Sequence, residues 1–510
     1  MANPWRNLAA LKQATATSSL HTRQWEWLKA CLHRNRDTEY GRAHGFANIN
    51  SIADFQNRVP VTQYEQLAPL INRVAAGEQG LLFHEPAIAF ERTGGSSGGA
   101  KLIPYTATSL ADFRNALVPW LADTIDHYQL SSGCAYWAIS PATRAEEKTA
   151  GGMPIGLPDG AYLGEEALAS FAELSAVPYW LATLTDVKQW HIATLYYLIR
   201  RDDLALVSVW SPSFFLHLIE AITTYREALS QLLKQGGDIA GNSVPKDIAA
   251  FERLRLYQNT KQPQPLWPKL KLISCWADAS SKHFFNRLQA TFPNTRFQGK
   301  GLLATEGVMT VPNVNTHPVL TADSGFYEFE NSTGNILPAH ALQESECYEV
   351  LITTAGGLYR YRLGDQVRCC QRTDKTLQLQ FTGRHGLVSD LVGEKLTETF
   401  VSDCMKNIKG FRMLFAEQKN IPHYRLIADK QNNPSDVAMQ VEQQLRANPQ
   451  YDYARRIGQL GPLQCTTLKQ PLSHYLDWGR AQGRRLGDIK PPALCTEKDC
   501  LAYLMERGQS

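Results

Sequence analysis

The sequence predicts an α/β fold, on three observations. Segments with helical spacing alternate with short strand-like runs through the middle of the chain, the pattern of helices layered on sheets. A glycine-rich loop sits between two extended stretches, Ala87 to Phe90 and Lys101 to Tyr105, and not at the start of a helix. No self-similarity at a period of roughly 20 to 50 residues is visible, which sets solenoids and propellers aside.

Each element has a local reason. The first ~85 residues read as helices: Ser19-Leu20 precedes Trp25, Leu28, Cys31 and Leu32 at helical spacing, and Phe55, Val59 and Tyr64 form a second run broken by Pro60. After the loop, Ser109 and Asp112 read as a helix start ahead of Phe113, Leu117, Trp120 and Leu121. Residues 213–233 and 283–292 read as helices, and 270–276 and 295–300 as strands. Residues 346–368 read as antiparallel strands around Gly356-Gly357. Beyond Gly383-Arg384 the composition shifts, with helices expected at 396–408 and 436–447. The predicted boundary is near residue 386, giving an N-terminal domain of 1–386 and a C-terminal domain of 387–510.

Composition narrows the function classes. Of 510 residues, 52 are Lys or Arg and 49 Asp or Glu, a formal charge of +3, too even for a protein that works by neutralising a nucleic-acid backbone. Mean hydropathy is -0.30 and no apolar run approaches the ~18 residues of a membrane span. The ten cysteines contain no Cys-x-x-Cys pair, and Met1 to Lys12 lacks the basic-then-apolar layout of an export signal, so reduced thiols and a cytoplasmic location are expected. The sequence leaves the oligomeric state open, a monomer being admissible.

The chemistry starts in the loop Thr93-Gly94-Gly95-Ser96-Ser97-Gly98-Gly99-Ala100-Lys101. Small residues let backbone N–H groups approach an anion, and the hydroxyls and Lys101 add donors and charge, so polyphosphate is the natural ligand. A Walker loop needs Gly-Lys-Ser/Thr running straight into a helix, and a dinucleotide fingerprint must also open a helix; neither fits.

This loop resembles, position for position, the Thr-Ser-Gly-Ser-Thr-Gly-x-Pro-Lys loop of the acyl-adenylate-forming superfamily, and further motifs follow in order. Ala304-Thr305-Glu306 resembles Gly-x-Thr-Glu, Tyr361-Arg-Leu-Gly-Asp365 resembles Tyr-Arg-Thr-Gly-Asp, and Gly383-Arg384 begins the hinge motif, although Gly386 and Leu387 replace its Asp pair. The stretches Thr38-Glu-Tyr-Gly-Arg-Ala-His-Gly-Phe46, Phe55-Gln-Asn-Arg-Val-Pro60, Pro268-Lys-Leu-Lys-Leu-Ile273, Gly357-Leu-Tyr-Arg-Tyr-Arg-Leu-Gly-Asp365, Gly393-Glu-Lys395 and Lys490-Pro491 are similar to one branch, the auxin-responsive (Gretchen Hagen) acyl acid–amido synthetases.

That resemblance implies a large N-terminal adenylate-forming domain, with layered sheets, helices and a β-barrel-like subdomain, and a small mobile α+β C-terminal domain. It implies ATP and Mg²⁺, a carboxylic acid activated as acyl-AMP, and an amine, typically an amino acid, as acceptor. Thr93, Gly95, Ser96, Ser97, Gly98 and Lys101 would face the phosphates, Ala277 and Asp278 the adenine, Thr305 the α-phosphate, Asp365 the ribose and Arg384 the nucleotide. Glu306 would hold the metal, and Lys490 would act with Lys101 and Thr305 in catalysis. For the acyl pocket the candidates are Trp120, Tyr136, Trp137, Ile139, Met153 and Phe215, since apolar and aromatic linings are usual for small ligands. Two other readings share these motifs: an acyl-CoA ligase with the same first half-reaction, and a non-catalytic nucleotide sensor.

Overall fold

The computed structural model describes residues 3–11, 17–93, 101–137, 147–157, 162–314, 316–384, 388–389, 391–392, 394–419, 421–456 and 460–508. The fold is α/β and divides into two compact units, each made from three stretches of chain. One comprises Met1–Ala135, Arg144–Ser175 and Gln298–Phe381; the other comprises Tyr136–Thr143, Ala176–Phe297 and Thr382–Ser510.

In the first unit the expected N-terminal helices form at Leu20–Asn35, Glu39–Ala43, Ile52–Arg58 and Tyr64–Ala75. Ser19 Oγ accepts the N–H of Thr22 and starts the first of them. The helix after the loop runs Ala107–Tyr128, and its cap differs from the expectation: Thr106 and Ser109 cap each other reciprocally. Asp112 instead lies inside the helix, where its Oδ1 accepts the Trp27 indole N–H at 3.2 Å. The residues around Gly356-Gly357 belong to a larger antiparallel sheet of seven strands. Its order is Thr310–Val311, Val319–Leu320, Leu377–Arg384, Tyr361–Arg372, Cys347–Thr353, Phe326–Glu330 and Ile336–Pro338. One hydrophobic core joins the N-terminal helices to this sheet through Leu28, Phe55, Ile71, Phe326, Leu358 and Tyr359, all essentially inaccessible to solvent.

A buried ion pair fastens that junction. Arg360 Nε and Nη2 donate to Glu328 at 2.9 and 3.0 Å, and its Nη1 donates to the carbonyls of Gln56 and Val59. Both side chains are nearly inaccessible, so each charge depends on the other. Arg362, two residues on, pairs with Glu330 and Glu349.

Leu204–Ser208 and Leu272–Trp276, in the second unit, pair in parallel at the centre of a four-stranded sheet whose outer strands are Cys134–Trp137 and Arg296–Lys300. The expected single helix over 213–233 is two, Pro212–Thr224 and Arg226–Gln235, because Tyr225 leaves helical geometry between them. The C-terminal stretch carries a mixed sheet that periodicity did not reveal, in the order Gln464–Leu468, His423–Asp429, Arg412–Glu417, Leu494–Cys495, together with the helices Glu398–Cys404, Pro434–Leu445, Pro471–Ala481 and Lys498–Gly508. Gly479, in the helix Pro471–Ala481, allows close approach: a Cβ there would meet the Ile489 side chain at 2.9 Å.

Candidate active site

Strand pairing places the ends of the phosphate-loop motif. Ala89–Thr93 and Lys101–Tyr105 are antiparallel, with Thr93 opposite Lys101. Gly95, Ser96, Ser97 and Gly98 lie outside the described residues, as does Ile139. Lys101 Nζ donates to the Tyr361 hydroxyl at 3.2 Å and lies 5.5 and 5.8 Å from the ring centres of Tyr64 and Tyr361. Tyr64 itself accepts the Leu102 N–H at 2.8 Å, which fixes the strand beside it.

Tyr361 opens the strand that carries Asp365. On that strand Tyr361, Leu363, Asp365 and Val367 alternate inward, so a carboxylate occupies a core-facing position at 4 % exposure. The pairing with Cys347–Thr353 slips between Glu349 and Leu351, opposite Gly364, whose φ of 80° is open to glycine at little cost. The strand that carries Asp365 has two extra residues over that step, an irregularity of the kind that re-aims side chains.

Thr305 and Glu306 form the two-residue turn of a hairpin, in which Ala304 pairs with Gly307 and Leu303 with Val308. The Tyr105 hydroxyl donates to the Thr305 carbonyl, and burial pushes that phenol up, with the Glu306 carboxylate among the lesser contributors. Ile103, Tyr105, Leu110, Phe113 and Val308 form one small core beneath the hairpin. The first unit thus carries Lys101, Thr305, Glu306 and Asp365, with Tyr64 and Tyr361 beside Lys101 and Tyr105 bonded to the Thr305 carbonyl, contacts that motif reasoning did not single out. Tyr361 was within reach, since it begins the same motif as Asp365.

Trp120 donates its indole N–H to Gln298 at 3.2 Å, and the Lys300 ammonium lies 4.8 Å from its ring centre. Lys300 is 5 % exposed, a buried cation one residue before Gly301 that the sequence reading passed over. Met153 packs half-buried against the main core of the same unit.

In the second unit the Leu272–Trp276 strand ends at Trp276, with Ala277 and Asp278 half-buried after it. The Lys490 ammonium lies 5.5 Å from the Trp276 ring centre, so the C-terminal lysine and the proposed adenine-facing segment meet there. Arg384 ends its strand one residue after Gly383, which sits against the Thr399 hydroxyl. Tyr136 is fully buried and its hydroxyl has no hydrogen-bond partner among the described residues, so burial pushes its pKa up. Trp137 lies beside it on the same strand. Phe215 is fully enclosed, its ring 5.8 Å from that of Phe292 and 6.0 Å from that of Trp267. The described residues contain no cluster of three or more His, Cys, Asp or Glu suited to a metal.

Comparison with known proteins places this arrangement. The chain is 23 % identical to an indole-3-acetic acid-amido synthetase, GH3.3, of Arabidopsis thaliana, over 91 % of this chain and 88 % of the relative. It is 25 % identical to a jasmonoyl–L-amino acid synthetase of Oryza sativa subsp. japonica over half of each chain. Its fold superposes on the solved structure of the AtGH3.15 acyl acid amido synthetase in complex with 2,4-DB with a TM-score of 0.85, at 21 % identity, covering 96 % of this chain and 94 % of that one. A 2-hydroxyisobutyryl-CoA ligase in its postadenylation state shares the fold more loosely, with a TM-score of 0.56 at 11 % identity over 96 % and 91 % of the two chains. The GH3 family N-terminal domain matches residues 10–297 and the GH3 family central domain residues 318–384, so this chain belongs to the GH3 family.

Proposed function

We propose that the chain is an ATP-dependent ligase that activates a small carboxylic acid as acyl-AMP and transfers the acyl group to the amine of an amino acid, forming an amide. The observation that carries this is the Lys101–Tyr361 contact, which links the strand leaving the loop to the strand that carries Asp365, with Tyr105 on the former strand bonded to the Thr305 carbonyl.

The resemblance supplies the roles, and the chemistry agrees with them. Carboxylate oxygen attacks the α-phosphorus of ATP and pyrophosphate leaves, so positive charge must stand where negative charge accumulates. Among the described residues, Lys101 meets one hydroxyl and two aromatic faces, and an ammonium has three N–H groups to donate. Thr305 supplies a hydroxyl to the α-phosphate. Asp365 offers two acceptor oxygens to the two ribose hydroxyls. Glu306, a lone hard carboxylate on a turn, fits Mg²⁺, which usually takes one or two protein carboxylates and keeps waters and substrate phosphates as its other ligands. When bound, the ion offsets phosphate charge. Thr93 to Gly98 cradle the phosphates, Ala277 and Asp278 border the adenine, and Arg384 faces the nucleotide. Lys490, resting on Trp276, stabilises the developing charge at the carboxylate and α-phosphate. We assign residues 1–386 to the adenylation domain and 387–510 to a mobile cap that excludes water from the mixed anhydride. Trp120 is the leading acyl-pocket residue, with Tyr136, Trp137, Ile139, Met153 and Phe215 as further candidates.

The test crosses a panel of aryl, indolyl and aliphatic acids with amino acids and with coenzyme A, in the presence of Mg-ATP. Amide product with at least one acid is expected. Thioester alone would overturn the amide reading, and no acid-dependent ATP–pyrophosphate exchange with any acid would overturn adenylation.

A further inference from the structure

The second unit contains a cavity of about 810 Å³ that shares no residue with the candidate active site. Its floor is the end of two strands paired in parallel, where Asp429 stands opposite Leu468 and the Lys430 N–H donates to the Leu468 carbonyl at 2.8 Å. Arg287 projects from the helix Lys282–Thr291, His474 from the first turn of Pro471–Ala481, and Arg507 from the last turn of Lys498–Gly508. Lys469 completes the lining cations.

Four permanent cations therefore face one carboxylate. Asp429 Oδ2 accepts the Phe411 N–H at 2.6 Å, and burial pushes its pKa up against that hydrogen bond and the pull of Arg287. Arg287 pairs with Glu220 at 2.6 Å. Lys430, Lys469 and Arg507 form no ion pair with a described residue. An ordinary solvated face interleaves acids with bases. The whole chain carries a formal charge of only +3, yet this one cavity gathers four cations from two helices and two strand ends. Like charges drawn together from separate elements repel one another, and an anion among them removes that cost. The volume is within the ~300–1,000 Å³ range of small-molecule sites and much exceeds what one phosphate fills. Lysine and arginine together suit phosphoryl oxygens, as point charge and as planar fork.

We propose that this cavity is a second ligand site, for a small polyanion bearing two or more phosphoryl groups, either inorganic oligophosphate or the phosphate chain of a nucleotide. The proposal goes beyond amide synthesis and stands or falls on binding alone. A ligand held there contacts Arg287, which precedes residue 386 in sequence, and Lys430, Lys469 and Arg507, which follow it, so occupancy ties these two parts of the unit together.

Calorimetric titration of the full chain with inorganic tripolyphosphate, and separately with GTP, tests it. The Lys101→Ala background lowers binding at the proposed catalytic loop, so the remaining site can be read. Lys430→Glu/Lys469→Glu should weaken that remaining binding at least tenfold, and Lys430→Gln/Lys469→Gln by a lesser factor. Both pairs are exposed side chains, and an unchanged thermal midpoint checks folding. Tighter binding of tripolyphosphate would identify a free oligophosphate as the source, and tighter binding of GTP a nucleotide. Unchanged affinity in both double variants, or no binding left in the Lys101→Ala background, would overturn the proposal. Acid-dependent pyrophosphate exchange by the double variants, measured without added polyphosphate, should stay within twofold of the parent.

Discussion

Lys101 and Tyr361 are 260 residues apart in sequence and meet at 3.2 Å, the lysine donating to the phenol oxygen. The contact joins the exit of the phosphate loop to the first residue of the strand that carries Asp365. Removing its two ends should have different costs. Lys101→Ala removes charge from the reacting phosphates and should lower kcat for pyrophosphate exchange by about 100-fold or more, in line with loss of one preorganised electrostatic group. Tyr361→Phe removes only the positioning contact and should cost about fivefold, near 1 kcal/mol. Equal losses in the two variants would show that the phenol does more than orient.

Asp365 can be tested through the substrate instead of the rate. The parent should prefer ATP to 2′-deoxy-ATP in kcat/KM, because a buried carboxylate then loses one of its partners. In Asp365→Ala that preference should collapse toward unity while overall activity falls. A preference that survives the substitution would remove Asp365 from the ribose role.

Lys490→Ala should reduce acid-dependent exchange by about 100-fold, the scale expected for a charge at the reacting centre. Trp276→Leu leaves the lysine but removes the ring beneath it, a loss of about 0.5–1 kcal/mol, so a threefold to fivefold fall is expected. The comparison is made by exchange kinetics at saturating ATP.

Glu328→Ala should destabilise the fold by about 3–5 kcal/mol, because it leaves Arg360 buried without its counter-charge. Denaturant unfolding measures it. The companion change Arg362→Ala removes two more exposed pairs, to Glu330 and Glu349, and should cost less than Glu328→Ala.

Burial raises the carboxyl of Asp112 to about 7, against the opposing pull of the Trp27 indole and Arg34, and its Oδ2 has no hydrogen-bond partner among the described residues. Unfolded, this group titrates near the ordinary value of ~3.9. Between those two values the unfolded chain has released a proton that the folded chain retains, so stability from this group is full below about pH 4 and falls as pH rises to about 7. Asp112→Asn cannot titrate and should flatten that part of the profile. Thermal midpoints at pH 5 and pH 8 should show the variant gaining on the parent at the higher pH, and a constant difference would contradict the shift.

The motifs proposed to touch ligand were legible because each packs several chemical demands into adjacent residues. Thr305-Glu306 and Tyr361 to Asp365 could be read without any structure. What escaped were the supports, for a physical reason: Tyr64, Tyr105 and Lys300 act through partners tens to hundreds of residues away, and no local pattern encodes such pairs. The cap of the Ala107–Tyr128 helix was misplaced by three residues, because Ser109 and Asp112 imitate a start that Thr106 had already made. The C-terminal sheet was missed because its strands are short and lie among stronger helical signals. Arg360 shows the converse: in a motif read for function, it proves to be a structural clamp with a φ of 46° and a buried partner.

The close approach at Gly479 links two places that otherwise look unrelated. The helix Pro471–Ala481 begins beside Gln470 and His474 in the basic cavity and ends on Ile489, the residue before Lys490. Eleven residues make a rod about 16 Å long, at ~1.5 Å per residue, too stiff to absorb a push at one end by bending. Gly479 has no side chain, so Ile489 packs directly on the backbone of that rod. One helix thus lines the cavity near its start and, near its end, packs against the residue before Lys490.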